Sequence, residues 1–214
     1  MRQAVSGSSP FGTLKRFGRA RDGVSAVEFA LILPFMLTLY LGGAELGDGF
    51  AMQFKATLAA RTVADLTSQC GNNTLDGQYC ATANGLAIDT ASMNQILGAA
   101  ATVMTPYSTA NMIITVSELK FTAGNGTATV VWSATNSGSG RAQNSTFALP
   151  TAFQSLPSGT YYVILGEVTY PYTPSMGYVL TGTINIYQDA IFFPRNSDAP
   201  GCVEYDNNGT KLCQ

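Results

Sequence analysis

One uninterrupted apolar run, from Val24 to about Ala44, dominates the pattern of hydrophobic and polar positions along the chain. Its length of roughly 21 residues allows a helix to cross about 30 Å of hydrocarbon, at about 1.5 Å per residue. Pro34 lies within the run and is expected to bend the helix. No Ala-x-Ala site follows the run, which disfavours an ordinary cleaved signal peptide. We therefore predict one transmembrane helix over residues 24–44.

Helical spacing continues beyond the membrane run to about residue 68. The apolar positions of this second half are Leu46, Phe50, Phe54 and Leu58, with Met52, Ala59 and Val63 beside them. Lys55, Arg61 and Asp65 supply polar positions between them. This spacing predicts a continuation of the helix over 45–68 that buries an apolar stripe against a folded domain.

After Asn111 the pattern changes to one typical of strands. The predicted strands are Met112–Phe121, Thr127–Thr135, Tyr161–Tyr172 and Thr183–Phe193. In the second of them Ala128, Val130, Trp132 and Ala134 alternate with polar residues, which assigns them to one face. A short helix is expected over Ser92–Met104, and another helix or turn between Pro150 and Pro157. The fold class is therefore α+β, with the long N-terminal helix packed on an antiparallel sheet of about four strands.

Charge is distributed unevenly along the chain. Residues 1–23 hold five basic residues and one acidic residue, for a sum of +4, whereas the remainder holds six and twelve, for a sum of −6. A basic segment immediately before a membrane helix indicates that this end stays in the cytoplasm. The acidic domain over 45–214 then lies on the other side, and its charge argues against nucleic-acid binding.

The composition also limits the chemistry that the domain can perform. The chain has no histidine, no phosphate-binding loop and no metal-ligand cluster, so neither an enzyme nor a cofactor is indicated. Its four cysteines, Cys70, Cys80, Cys202 and Cys213, all follow the membrane run. An oxidising compartment would join them as disulfides, and three pairings are open. We favour Cys70 with Cys80 and Cys202 with Cys213, each of which closes a short polar loop.

Glu28 is the one carboxylate inside the apolar run, five residues after Gly23. A charge among lipid tails costs about 2.5–3.5 kcal/mol, so its presence requires a reason. One interpretation is a plain membrane anchor in which Glu28 reaches water at the interface. The other is cleavage after Gly23, which frees the amine of Val24 so that Glu28 of one copy neutralises the amine of a neighbour.

The residues around this site resemble a known family. Arg21-Asp22-Gly23 followed by Val24-Ser25-Ala26-Val27-Glu28-Phe29 resembles the cleavage pattern of type IV prepilins, and Ala26 to Pro34 resembles the TadE/TadF/TadG-like minor pseudopilins of Tad (tight adherence, Flp-type) pili. Phe29 stands where tyrosine is frequent in that pattern. Gly166 to Pro174 and Phe193-Pro194-Arg195 resemble further segments of TadE-like proteins. The length of the chain is most similar to a TadE-like member, and the cysteine loops are not part of the match.

The resemblance implies a pilin-like protein of the bacterial inner membrane with a single pass, a cytoplasmic N-terminus and a periplasmic domain. It implies that a prepilin peptidase removes the leader, residues 1–23, between Gly23 and Val24. It implies Glu28 and Phe29 as residues of subunit assembly. The implied partners are other Tad pilins and pseudopilins, the assembly platform and the lipid bilayer, and the implied function is to build a pilus for surface adhesion. The alternative is an uncleaved membrane-anchored assembly factor with a periplasmic binding domain.

Three smaller features are open to two interpretations each. Glu45 and Asp48 are either a subunit contact or, more often for such a pair, a solvated face. The segment Tyr170–Pro174 is either a recognition surface or, as we expect, tyrosines that pack on the domain. The segment 206–209 is either an oxygen-rich calcium loop or a tight hairpin turn, of which the turn is favoured.

Overall fold

The computed structural model describes residues 23–70, 88–174, 182–195, 203, 205–207 and 210–211. The predicted leader before Gly23 and the polar loop after residue 70 lie outside the described residues. Along the chain the helices are α1 (Val24–Gln69) and α2 (Thr90–Thr102), and a 3-10 helix spans Thr151–Ser155. The strands are β1 (Ile88–Asp89), β2 (Ile113–Thr122), β3 (Thr127–Thr135), β4 (Thr146–Ala148), β5 (Thr160–Tyr172), β6 (Ile184–Phe192), β7 (Tyr205–Asn207) and β8 (Thr210–Lys211).

The α+β fold predicted from the sequence is confirmed. The five strands β4-β3-β2-β5-β6 form one sheet in that order, and every neighbouring pair is antiparallel. A small second sheet pairs β1 with β7 in parallel and β7 with β8 in antiparallel fashion. The four predicted strands correspond to β2, β3, β5 and β6, and the short helix between the prolines is the 3-10 helix.

A β-bulge between β2 and β3 divides the sheet into two halves that bury their apolar residues on opposite faces. Glu118 pairs with Trp132 and the next residue, Leu119, pairs with Val130, so Val131 is the extra residue. On the C-terminal side of the bulge in β3, Trp132 belongs to the core between the sheet and α1. On the N-terminal side, Val130 belongs to a second apolar cluster on the opposite face of the sheet. The predicted single face for the alternating residues of β3 is therefore wrong, because one inserted residue reverses the alternation.

The second half of α1 docks on the sheet through small side chains. Its fully buried residues include Ala56, Ala59, Ala60, Val63 and Ala64. Of the apolar positions that the sequence predicted to be buried, Met52, Ala59 and Val63 are buried, whereas the bulky residues Leu46, Phe50, Phe54 and Leu58 are 46%, 69%, 71% and 43% exposed. Helical periodicity identifies an apolar stripe but does not say which side packs on the domain. Here the alanine face docks because it allows the backbones to approach closely.

Gly166 on β5 is the point of closest approach between α1 and the sheet. A Cβ added there would lie 2.4 Å from the carbonyl oxygen of Ala60 and 2.8 Å from Cγ1 of Val63. Only glycine fits, because any larger residue would overlap the helix backbone. Tyr172 packs nearer the membrane half of α1, and Arg195 meets its far end, so α1 runs antiparallel to β5.

The C-terminal part of the chain packs beneath the same face of the sheet. Val203 and Tyr205 are buried, and the Tyr205 ring lies 5.1 Å from the Trp132 ring. The Val203 peptide is held on both sides, because its N–H donates to Oε1 of Glu118 at 2.6 Å and its carbonyl accepts from Nε1 of Trp132 at 2.8 Å. Glu118 is fully buried at the bulge and thus connects the sheet to the C-terminal segment.

Candidate functional site

The N-terminal part of α1, residues 24–40, is called here the membrane half, and it extends away from the folded domain. Every residue from Val24 to Tyr40 is exposed. The most apolar 18-residue window of this helix has a mean hydropathy of 2.0 and no buried residue. By length and composition, this is the one helix in the described part of the chain that can cross a membrane. The helix has 46 residues and is about 69 Å long, so it extends well beyond a bilayer core of about 30 Å.

The predicted cleavage residues lie at the start of this helix. Gly23 is the N-cap and makes no side-chain capping bond, and Val24 is the first helical residue. Glu28 follows one turn later and Phe29, 65% exposed, lies beside it. Because residues four apart share a helix face, the Glu28 carboxylate lies on the same side as Val24. Gly23, Val24, Glu28 and Phe29 therefore all lie within the first two turns of α1. Cleavage after Gly23 and pairing between subunits remain predictions.

Beyond the membrane half, α1 keeps an exposed apolar stripe, defined by Leu46, Phe50, Phe54 and Leu58. Beside the stripe lies an open groove of about 170 Å³, lined by Gly49, Tyr172, Ile184 and Ile186 together with the first two stripe residues and Gln53. Contiguous exposed apolar side chains of this size mark interaction surfaces. The exposed apolar surface of α1 therefore continues from its N-terminal part, residues 24–40, along the stripe as far as Leu58.

The junction between the membrane half and the sheet is built around Glu45 and Tyr172. Glu45 is 2% exposed, so the prediction of a solvated Glu45–Asp48 face is wrong for Glu45, whereas Asp48 is exposed. The Tyr172 hydroxyl donates to the carbonyl oxygen of Glu45 at 3.4 Å. Burial, with the charges of Asp48 and Glu45 nearby, raises the pKa of Tyr172 and keeps this donor protonated. Tyr170 is also buried, and both tyrosines pack on the domain as expected.

Two further contacts hold α1 rigidly to the domain, and sequence reasoning assigned neither of them. Nζ of Lys55 donates to the carbonyl oxygens of Val103 at 3.2 Å and Thr105 at 2.5 Å, which satisfies the C-terminal end of α2. Arg195 forms an ion pair with Asp65, and its backbone N–H donates to the carbonyl oxygen of Ser68 at 2.8 Å. The Pro-Arg segment noted in the sequence thus closes the sheet onto the end of α1.

The cysteines are described only in part. Cys70 follows directly after α1, is 2% exposed and is disulfide-bonded. Cys80, Cys202 and Cys213 lie outside the described residues, so the predicted pairing remains a prediction. The end of the 206–209 loop also lies outside them. Across the described ranges, no group of three histidine, cysteine, aspartate or glutamate side chains is arranged to hold a metal ion.

Comparison with known proteins identifies the same region of the chain. Residues 23–65, which span nearly all of α1, match the family model described as TadE-like protein. No curated protein and no solved structure matches this chain. The matched segment begins at the predicted cleavage residue and contains Glu28 and the stripe. The match shows that the N-terminal helix is similar to the TadE-like family over residues 23–65, in agreement with the resemblance to the TadE/TadF/TadG-like group, and it does not distinguish the members of that group.

Proposed function

We propose that this protein is a minor pseudopilin that assembles a Tad-type pilus for surface adhesion. A prepilin peptidase cuts between Gly23 and Val24, residues 24–44 hold the mature chain in the inner membrane, and the domain from residue 45 lies in the periplasm. Its partners are other Tad pilins and pseudopilins and the membrane assembly platform. The role is structural, and the disulfides keep the domain closed in an oxidising compartment.

The main support for this proposal is that one continuous helix has an exposed apolar first part and a second part that packs on a folded domain. From Val24 to Tyr40 the helix is exposed and apolar, and from Met52 to Ser68 one side of it is buried in a folded domain. A helix of this kind presents membrane-embedded surface to neighbouring subunits while its domain stays outside the bilayer. A plain anchor requires only the first of these two parts, and no rigid connection to a sheet.

Glu28 supports side-by-side assembly of such helices. Its carboxylate is exposed one turn from the helix start, where the amine of Val24 would be after cleavage. In a bundle of membrane helices, the carboxylate of one subunit meets the amine of the next, which removes part of the cost of about 2.5–3.5 kcal/mol for a charge in lipid. The pairing also sets the register of adjacent subunits.

The mature N-terminus tests cleavage directly. We expect intact-mass measurement of the protein from cells with the peptidase to show loss of residues 1–23 and a chain that begins at Val24. Cells that lack the peptidase provide the control and should retain Met1. A full-length chain in both strains would contradict the proposal and favour the uncleaved assembly factor.

Replacement of Glu28 tests the charge pairing. We expect Glu28→Ala to insert in the membrane normally but to lower the yield of pili about ten-fold, since loss of about 1.4 kcal/mol at each subunit contact has that effect. Asp48→Ala removes an exposed carboxylate from the same helix outside the membrane and serves as the matched control. Normal piliation in both variants, measured by shearing and immunoblotting, would rule out the pairing.

Substitutions in the exposed apolar stripe should impair contacts between subunits without destabilising the folded domain. Phe50→Ser with Phe54→Ser changes two side chains that are 69% and 71% exposed, so the thermal midpoint of the domain should move little. Cross-linking of neighbouring subunits should fall, because these rings extend the apolar helix surface beyond the bilayer. The control is Met52→Ser on the buried side, which should lower the thermal midpoint markedly. Unchanged cross-linking in the double variant would show that this surface is not an interface.

A further inference from the structure

A separate polar cavity of about 170 Å³, shallow and open to solvent, lies on the face of the sheet turned away from α1. It is formed over β2, β5 and β6 by residues of the strands and of the loop between β3 and β4. Its lining includes Ile113, Thr115, Ser139, Arg141, Thr169 and Tyr187. Ile113 pairs with Thr169 near the end of β5 that carries Tyr172, so the cavity lies in the half of the sheet nearer the membrane. Nothing in the proposed pilus function uses it.

The base of this cavity is an ordered ionic network around Glu167. Nε and Nη2 of Arg141 donate to Oε2 and Oε1 of Glu167, both at 2.6 Å, and the Tyr187 hydroxyl donates to Oε1 at 2.5 Å. Glu167 is 7% exposed, whereas the Arg141 side chain is 31% exposed. Burial and the Glu167 contact raise the pKa of the Tyr187 hydroxyl, so it stays a neutral donor. The network spans three segments and holds the wall of the cavity in place.

The loop beside the cavity is also held close to the sheet. The backbone N–H of Arg141 donates to Oγ of Ser133 at 3.0 Å, and a Cβ on Gly140 would lie 2.6 Å from the same oxygen. The loop at Gly140 and Arg141 therefore lies against β3 at the edge of the cavity. An ion pair with one partly exposed partner contributes little net stability, so folding alone gives no strong reason for this network.

The lining restricts the chemistry of a ligand. The charges of Arg141 and Glu167 cancel, and exposed Asp189 lies opposite Glu167 on β6, so the surroundings disfavour an anion. Hydroxyls of Ser139 and Thr169 and the outer guanidinium N–H groups of Arg141 supply hydrogen bonds, which disfavours a purely apolar group. The flanking side chains of Tyr187 and Ile113 are 47% and 40% exposed and offer apolar surface.

From this combination we infer that the cavity binds one ring of a neutral sugar. A sugar ring presents hydroxyls at its edge, which suit the polar lining, and C–H groups on its faces, which pack against Tyr187 and Ile113. The cavity has room for a single small ring and is too small for a folded peptide or a lipid chain. The inference concerns the periplasm-facing sheet and does not depend on cleavage at Gly23 or on pilus assembly.

The test is saturation-transfer NMR on the full chain in a zwitterionic detergent that contains no sugar. Glucose, galactose and N-acetylglucosamine serve as probes, and we expect saturation transfer to the ring protons of at least one. Thr169→Val should weaken that binding about ten-fold, because one hydrogen bond to the ligand is lost. The matched control is Thr129→Val, the same change at an exposed position on β3 away from the cavity, which should alter binding less than about two-fold.

Three results would overturn the inference. They are the absence of saturation transfer to any of the three sugars, equal loss of binding in Thr169→Val and Thr129→Val, and displacement of the bound sugar by acetate or methylammonium at equal concentration. Equal thermal midpoints of the two variants ensure that a difference in binding reports the cavity and not a loss of folding.

Discussion

Replacing Gly166 with alanine is expected to destabilise the folded domain by about 3 kcal/mol or more. The added Cβ would lie 2.4 Å from the carbonyl oxygen of Ala60, a contact that only a shift of α1 relative to β5 can relieve. That shift would also disturb Val63 and Ala64, which touch the same point. Urea unfolding of the full chain in detergent, followed by the fluorescence of buried Trp132, measures the loss.

The matched control for this prediction is Gly98→Ala. Gly98 lies in the interior of α2, is exposed and has no atom within 4 Å of an added Cβ. The same chemical change should therefore stabilise the domain by about 0.5–1 kcal/mol, because alanine has less conformational freedom to lose in a helix than glycine. Equal effects of the two substitutions would mean that α1 does not dock on β5 as described.

The stability of the domain should fall as the pH rises from about 4.5 to about 8, and Glu118 should be responsible. Burial at the β-bulge raises the pKa of this carboxyl to about 8, against the opposing effect of its hydrogen bond from the Val203 N–H. A raised pKa means that the folded protein holds the proton more tightly than the unfolded chain. The contribution to stability is then complete below the unfolded pKa and is lost as the pH rises through the folded value.

The variant Glu118→Gln isolates this effect, because its amide keeps the shape and an oxygen acceptor but does not ionise. The difference in unfolding free energy between the variant and the wild type should change by about 4 kcal/mol between pH 4.5 and pH 8, in favour of the variant at higher pH. The matched control is Asp48→Asn, which changes an acid to its amide at an exposed position. Parallel pH profiles for Glu118→Gln and wild type would show that folding does not raise the pKa of Glu118.

Secondary structure was largely predictable because local patterns determine it. The predicted strand Thr127–Thr135 has the same bounds as β3, and the helix predicted to continue to about Ser68 ends at Gln69. The predicted start of α2, Ser92, lies two residues after its actual start at Thr90. Asp89 is its N-cap and accepts from the backbone N–H of Ser92 at 2.7 Å, and an aspartate three residues before that serine was the available signal.

Features that depend on distant parts of the chain were not predictable. The sequence showed the stripe of Phe50 and Phe54, but the face of α1 that docks was decided by Gly166, more than a hundred residues away. The buried state of Glu118 depends on the bulge and on Val203, neither of which leaves a local pattern. At the candidate site, by contrast, Gly23, Val24, Glu28 and Phe29 are neighbours in sequence, and their common position at the helix start follows directly.

The uninterrupted α1 also has a mechanical consequence. A force applied along the helix axis at the N-terminal half of α1 reaches the sheet through one continuous helix. Because α1 lies antiparallel to β5 and is held near Tyr172, Gly166 and Arg195, the load falls on all three contacts in shear rather than peeling them apart one after another. The folded domain would therefore move together with α1 when the N-terminal half of the helix is pulled or pushed along its axis.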